Sequence, residues 1–308
     1  MTETLRDTAV RSPEAATKLA APFSSRVRID VAAVTHPGLV RTNNEDQYFV
    51  SRLSRSLETM LTSLPAGNVP ERSDEVNYVL VVADGMGGHA AGEVASRMVI
   101  STLVHLALDV PDWILKVDAE HKPEIERRAR EAVQQVGADV VERGRQDEAL
   151  RGMGSTLTAA RSFGRELLII HVGDSRAYLL RAGALHRLTK DHTYVQLLVD
   201  TRQLTASEAA SSRLRHVLTN VLGGSDEQVQ VDVDLLTLED GDQLLLCSDG
   251  LTDLVDDAAI ASTLGQGRPA ADACARLLQL ALDGGGRDNV TVIVAAYTLP
   301  DESAPPAT

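Results

Sequence analysis

The chain has 308 residues, 44% of them hydrophobic and 24% charged, which supplies enough apolar side chains for a full core and excludes collagenous, disordered and membrane-spanning classes. Lys and Arg number 30 against 44 Asp and Glu, a net charge of -14, and the aromatic residues are three Phe, five Tyr and one Trp. Such a chain repels phosphate backbones and offers few stacking platforms, which argues against nucleic acid as a partner.

Residues 1–25 are polar, Ala-rich and without period, and 300–308 are similar; both read as flexible tails around one large domain over 26–299. Within it, β-rich apolar runs predict strands over 28–34, 78–83, 167–172, 229–236, 243–247 and 290–296, and helical patterning predicts helices over 91–108, 123–143, 193–199, 206–213 and 270–282. Short turns such as Phe163-Gly164-Arg165-Glu166 and Arg181-Ala182-Gly183 join neighbouring strand runs, which favours antiparallel hairpins and an α+β arrangement over strict βαβ alternation. Two stretches read as insertions: 51–77, which interrupts an expected strand pair, and 190–224, a polar helical segment that reads either as a lid or as an ordinary surface excursion.

Acidic residues gather at the ends of the apolar runs. They stand in Asn44-Glu45-Asp46, Asp84-Gly85-Met86-Gly87-Gly88-His89, Gly173-Asp174-Ser175, Ser248-Asp249-Gly250 and Arg287-Asp288-Asn289. One such Asp alone reads as a turn or a helix cap. Five strand ends that each deliver a carboxylate build an oxygen-rich cluster that repels itself unless divalent cations neutralise it. All-oxygen ligation without paired Cys or His points to a hard ion, Mg²⁺ or Mn²⁺. A competing reading takes Gly85-Met86-Gly87-Gly88-His89-Ala90 as a dinucleotide fingerprint with Asp109 about 20 residues on. It leaves the other acidic turns unexplained, and Asp84 before the loop repels a pyrophosphate.

These residues resemble the bacterial metal-dependent (PPM, type 2C) protein serine/threonine phosphatases. The matching stretches, in the family's order, are Arg41-Thr42-Asn43-Asn44-Glu45-Asp46, Val82 to His89, Gly152-Met153-Gly154-Ser155-Thr156, Val172 to Leu179, Leu246 to Asp253 and Arg287-Asp288-Asn289-Val290-Thr291. The resemblance runs from about Val27 to Tyr297 and implies a four-layer α/β/β/α sandwich of two mostly antiparallel sheets. It implies two divalent ions, Mn²⁺ or Mg²⁺, at one end: Asp84 bridging both, Asp249 and Asp288 on one, the Gly85 carbonyl on the other, and Glu45 and Asp46 acting through bound waters. It further implies a third, weaker ion on Asp174, Asp249 and Asp253, and Arg41 as the grip on the substrate phosphate. Hydrolysis of phosphoserine and phosphothreonine by a water bridging the ions, opposing Ser/Thr kinases, is the activity that follows.

Departures from the family pattern bear on details. Met86 stands where animal members have a His, which leaves His89, His192, a metal-bound water or no group at all as the proton donor to the leaving group. Asn220 replaces a flap arginine, and 190–224 corresponds to the flap beside the site. Ser155 and Ser248 lie beside no evident base and read as packing or turn residues. Cys247 and Cys274 cannot form a disulfide scaffold, the first 25 residues carry no secretory apolar core, and no apolar run reaches the roughly 20 residues of a membrane span. The expectation is a cytoplasmic monomer without membrane anchor, acting on phosphorylated proteins, either kinases or their substrates, and on no nucleic acid.

Overall fold

The computed structural model describes residues 26–87, 91–109, 121–224 and 228–300. Two sheets stack face to face. The first runs β1 (Arg28–His36), β12 (Val290–Thr298), β11 (Gln243–Cys247), β7 (Arg176–Arg181) and β8 (Ala184–Arg187) in spatial order. The second runs β10 (Asp232–Thr237), β6 (Glu166–Val172), β5 (Leu157–Phe163), β3 (Arg72–Met86), β4 (Gly154–Ser155) and β9 (Leu222–Gly223), with β2 (Asp46–Glu58) also paired to β3. Every strand pair is antiparallel. A dinucleotide-binding crossover needs parallel strands around its loop, so the fingerprint-like run after β3 has no such fold to serve.

Period-two alternation sorts the side chains. On β12, Ile293, Ala295 and Tyr297 enter the core between the sheets with Leu244, Leu246, Leu80 and Val82, while Val290, Val292 and Val294 face the outer helices. Helices α1 (Ala91–Asp109) and α2 (Lys122–Gln146) cover the second sheet through Val99, Val133, Val136 and Val140 packed on Val81 and Ala83. The first sheet is covered by α5 (Asp249–Thr252), α6 (Asp257–Leu264) and α7 (Ala270–Asp283). The result is the α/β/β/α sandwich. Each fully buried Leu, Ile or Val in these three clusters contributes roughly 1.5–3 kcal/mol of transfer free energy. Among the described residues no helix is long and apolar enough to cross a membrane.

The β7–β8 turn has positive φ at both central residues, Ala182 (48°) and Gly183 (82°), the twist a two-residue hairpin requires. Residues 51–77 differ from the expectation. Rather than interrupting a strand pair, 51–58 and 72–77 continue it, with pairing unbroken from Asp46↔Asp84 to Glu58↔Arg72. Polar residues at alternate positions hid these strands, because the ribbon projects past its neighbour β5 and has little core to bury against. Two smaller shifts are that α4 (Ala206–Ser211) ends before 213 and that β10 begins at 232, not 229. The expected tails 1–25 and 301–308, and His89, lie outside the described residues.

Candidate active site

The start of β2, the end of β3, the ends of β6 and β11 and the starts of β7 and β12 all meet at one end of the sandwich. A cleft of about 500 Å³ opens there, lined by Arg41, Glu45, Asp84, Gly85, Asp174, His216, Asp249 and Asp288. Asp46 and Asp84 are direct cross-strand partners, so their carboxylates leave the same face of the sheet side by side.

Backbone close approach holds these ends together. Asp84 is pinned on both sides: its N–H donates to Thr156 Oγ1 (2.9 Å), and its carbonyl accepts from Thr156 N (2.8 Å) and Ser155 Oγ (3.0 Å). A Cβ on Gly85 would lie 2.1 Å from the Gly92 carbonyl oxygen, and one on Gly250 would lie 2.0 Å from the Asn289 carbonyl oxygen. Glycine after each Asp is therefore required by the meeting of α1 with β3 and of α5 with the β12 entrance. Asn289 spends its whole amide on the loop before β2: Oδ1 accepts from Glu45 N (2.8 Å), and Nδ2 donates to Pro37 O (3.0 Å) and Asn43 O (2.8 Å). That clamp carries Arg41, whose exposed guanidinium donates to Asp288 Oδ2 at 2.8 Å across the cleft mouth.

The electrostatics call for cations. Asp46 is 1% exposed; Ser248 Oγ donates to its Oδ2 at 2.7 Å, but its Oδ1 is buried without a hydrogen-bond partner. Burial, only partly offset by the Ser248 and Thr291 hydrogen bonds, pushes its carboxyl up to about 7. Asp84 is held well above the carboxylate range by burial and then by the charges of Asp46, Asp249, Asp174 and Asp288. Asp174 is raised likewise by burial and Asp249. An orphaned carboxylate oxygen among mutually repelling, all-oxygen donors fits hard divalent ions.

Sequence and structure comparisons agree on a relationship. The protein phosphatase 2C family profile matches residues 71–281, and the serine/threonine protein phosphatase PstP of Mycobacterium tuberculosis is 40% identical over 266 residues. The chain belongs to the protein phosphatase 2C family. The PstP match spans 86% of this chain but 44% of that protein, so the chain corresponds to less than half of that relative's length. Protein phosphatase PhpP of Streptococcus pneumoniae is 32% identical over 89% of this chain and 99% of its own. The crystal structure of the PstP catalytic domain with two manganese ions superposes with a TM-score of 0.68 at 38% identity, covering 88% of this chain and 99% of that one.

For this member of the 2C family the structure gathers Arg41, Glu45, Asp84, Gly85, Asp174, Asp249 and Asp288 around the cleft, with Asp46 buried beside Asp84 and Asp253 on an adjoining pocket. His192 stands away from the cleft lining with both ring nitrogens engaged: Nδ1 accepts from Gly173 N (3.1 Å) and Asn220 Nδ2 (2.7 Å), and Nε2 bonds Asp232 (3.1 Å). Asn220 thus ties the flap base to His192 and to Gln230, not to the cleft. Three residues carry roles that the sequence reading did not assign them. Asn289 clamps the Arg41 loop, Ser248 orients Asp46, and His216 of the flap reaches Asp249 and Asp253 at 3.6 and 3.4 Å. The first two sit inside the family-like motifs Ser248-Asp249-Gly250 and Arg287-Asp288-Asn289, which mark them in the sequence. His216 lies in Arg213-Leu214-Arg215-His216, where nothing local marks it.

Proposed function

We propose that this chain is a Mn²⁺- or Mg²⁺-dependent protein phosphatase that removes phosphate from phosphoserine and phosphothreonine. The observation that carries the reading is the cross-strand pair Asp46 and Asp84: like charges opposite one another weaken a sheet, and here one carboxylate oxygen is also buried without a partner. Two ions held by Asp84, by Asp249 and Asp288, and by the Gly85 carbonyl, with Glu45 and Asp46 reached through ordered water, relieve both costs. Such ions, when bound, supply an activated water near neutral pH and offset charge on the phosphoryl oxygens. A third, weaker ion belongs to Asp174, Asp249 and Asp253.

The chain's own residues do the rest. Arg41, anchored through Asp288 and the Asn289 clamp, presents guanidinium donors at the mouth of the cleft, where a phosphoryl group enters. Four candidate side-chain nucleophiles are committed or kept protonated. The Ser248 hydroxyl is committed to Asp46 and Thr291, Ser155 to the Asp84 carbonyl, and burial pushes the Cys247 and Cys274 thiols up to about 12. Kinases or their phosphorylated substrates in the cytoplasm are the partners this chemistry suits, and the two free thiols suit a reducing compartment.

Phosphate release from matched phosphothreonine and phosphotyrosine peptides by metal-stripped protein tests the reading. Release that needs Mn²⁺, stops with EDTA and favours phosphothreonine supports it; folded protein that releases nothing at any Mn²⁺ concentration rejects it.

A further inference from the structure

The ribbon of β2 and β3 that leaves the second sheet carries an apolar end. Beyond Glu58↔Arg72 the chain turns through a shaped loop: Thr59 N donates to Glu71 O (2.9 Å), Thr59 Oγ1 donates to Pro70 O (2.7 Å), and Asn68 N donates to Pro65 O (3.2 Å). Met60 and Leu61 on this loop are 79% and 96% exposed, and Leu57 and Leu64 are exposed beside them. Among the described residues no other stretch this short exposes four large apolar side chains. Elsewhere they stand singly or in pairs, as Tyr194 and Leu197 do on the flap helix α3 (Tyr194–Asp200). Apolar surface concentrated in this way marks a contact site.

The same molecule offers a pocket of matching character. Between the last turns of α1, the first turns of α2 and the outer face of the second sheet lies a cavity of about 520 Å³, lined by Leu53, Leu103, Leu106, Ile125, Phe163 and Ile170. Arg127, Arg128 and Arg161 also line it. Glu124 and Glu131 pair with Arg127, and Glu124 with Arg128, so three arginines stand against two glutamates in a chain of net charge -14. The ribbon end has the opposite sign. Arg55 pairs with Glu75 and Arg72 with Asp74, which leaves Glu58 and Glu71 as its excess charge.

A ribbon cannot fill the pocket at its own base. Leu53 lines that pocket, and unbroken pairing out to Glu58↔Arg72 carries the end roughly 17 Å further, away from it. The outer edge of β2 is open as well, since among the described strands β2 pairs with β3 alone. Two ribbons laid antiparallel set each end at the other's base, so a single twofold axis satisfies both contacts and closes the assembly.

We propose that Met60, Leu61 and Leu64 of each ribbon enter the pocket between α1 and α2 of a second copy of this chain, forming a reciprocal dimer in place of the monomer expected from the sequence. Glu58 and Glu71 then face the arginines of the receiving rim. The cleft lies at the other end of β2 and β3, roughly 40 Å from the ribbon end, so both clefts stay open and the dimer is independent of the reaction there.

The test is light scattering of the full chain on size exclusion across micromolar concentrations, with anilinonaphthalene sulfonate, an apolar anion, as a probe of the pocket. Wild-type protein is expected to be a dimer that binds little dye. L61D alters a side chain outside the core and should keep the wild-type circular dichroism spectrum. It should raise the dimer dissociation constant at least about thirtyfold and gain dye fluorescence as the pocket empties. A129W fills the pocket from α2; it should weaken the dimer at least about tenfold and, combined with L61D, suppress the dye signal. A wild-type monomer at every concentration, oligomers that grow without closing, or a dimer indifferent to L61D or to folded A129W overturns the inference. An L61D monomer that binds no more dye than wild type also overturns it, because the ribbon end then sits elsewhere than in the pocket.

Discussion

Ser248 Oγ donates to Asp46 Oδ2 at 2.7 Å and accepts from Thr291 N at 3.0 Å, joining the start of β2 to the turn after β11 and to β12. Ser248 occupies the N-cap of α5 yet makes no capping bond, because its oxygen already accepts from Thr291 N while its proton goes to the carboxylate. S248A strips Asp46 of the Ser248 hydroxyl and leaves the Thr291 N–H without its acceptor. A stability loss of about 1–3 kcal/mol in EDTA is expected, with Mn²⁺ affinity reduced by roughly tenfold, both readable from denaturant and metal titrations.

Asp249 and Arg41 should separate by kinetic signature. D249A removes a carboxylate facing both the cleft and the flap, and activity should fall to that of the metal-stripped protein with the circular dichroism spectrum retained. R41A removes a grip on phosphate and should raise KM by about tenfold, the size of one charge-assisted hydrogen bond, more than it lowers kcat. Near-normal turnover by folded D249A, or an unchanged KM in R41A, contradicts these roles.

The Asn289 clamp predicts a positioning effect. N289A loses three hydrogen bonds to the loop that bears Arg41 and leaves the Glu45 N–H without its partner. About 2–3 kcal/mol of stability is expected to go with it. KM should rise toward the R41A value, and combining N289A with R41A should raise it no further; additive effects on KM place the clamp's role elsewhere.

His171 predicts a pH dependence of stability separate from the metals. Burial and then the neighbouring His192 lower its pKa from 6.5 to about 4; Thr158 Oγ1 meets its Nδ1 at 3.0 Å, and the Lys190 carbonyl meets its Nε2 at 3.0 Å. The folded chain keeps the ring neutral, whereas the unfolded chain takes up a proton near pH 6.5. Stability from this group is thus complete above pH 6.5 and is lost as pH falls toward 4, by about 3 kcal/mol in all. Denaturant unfolding in EDTA across this range, compared with H171Q, isolates the contribution; parallel curves for the two proteins refute it.

Gln243–Cys247 was legible because a strand buried on both faces reads as a continuous apolar run, whereas the short helix Asp257–Leu264 was not among the predicted ones. The projecting parts of β2 and β3 were not legible either, since a solvated ribbon needs no such run. Motif residues around the cleft were legible for a related reason. An Asp followed by Gly at a strand end reflects a local need for a charge and for a backbone without Cβ, and Gly85 and Gly250 meet carbonyl oxygens at once if given one.

Read along the chain alone, the residues specify acidic turns that end the strands of an α+β domain, in an order that matches one phosphatase family. Which groups stand together emerges from the folded chain: Asp46 against Ser248, Glu45 against Asn289, and His216, not His192, against Asp249. Those pairs lie 202, 244 and 33 positions apart. Nothing in a window of ten residues encodes such a meeting, which arises when both sheets close on one core and bring their ends to the same edge.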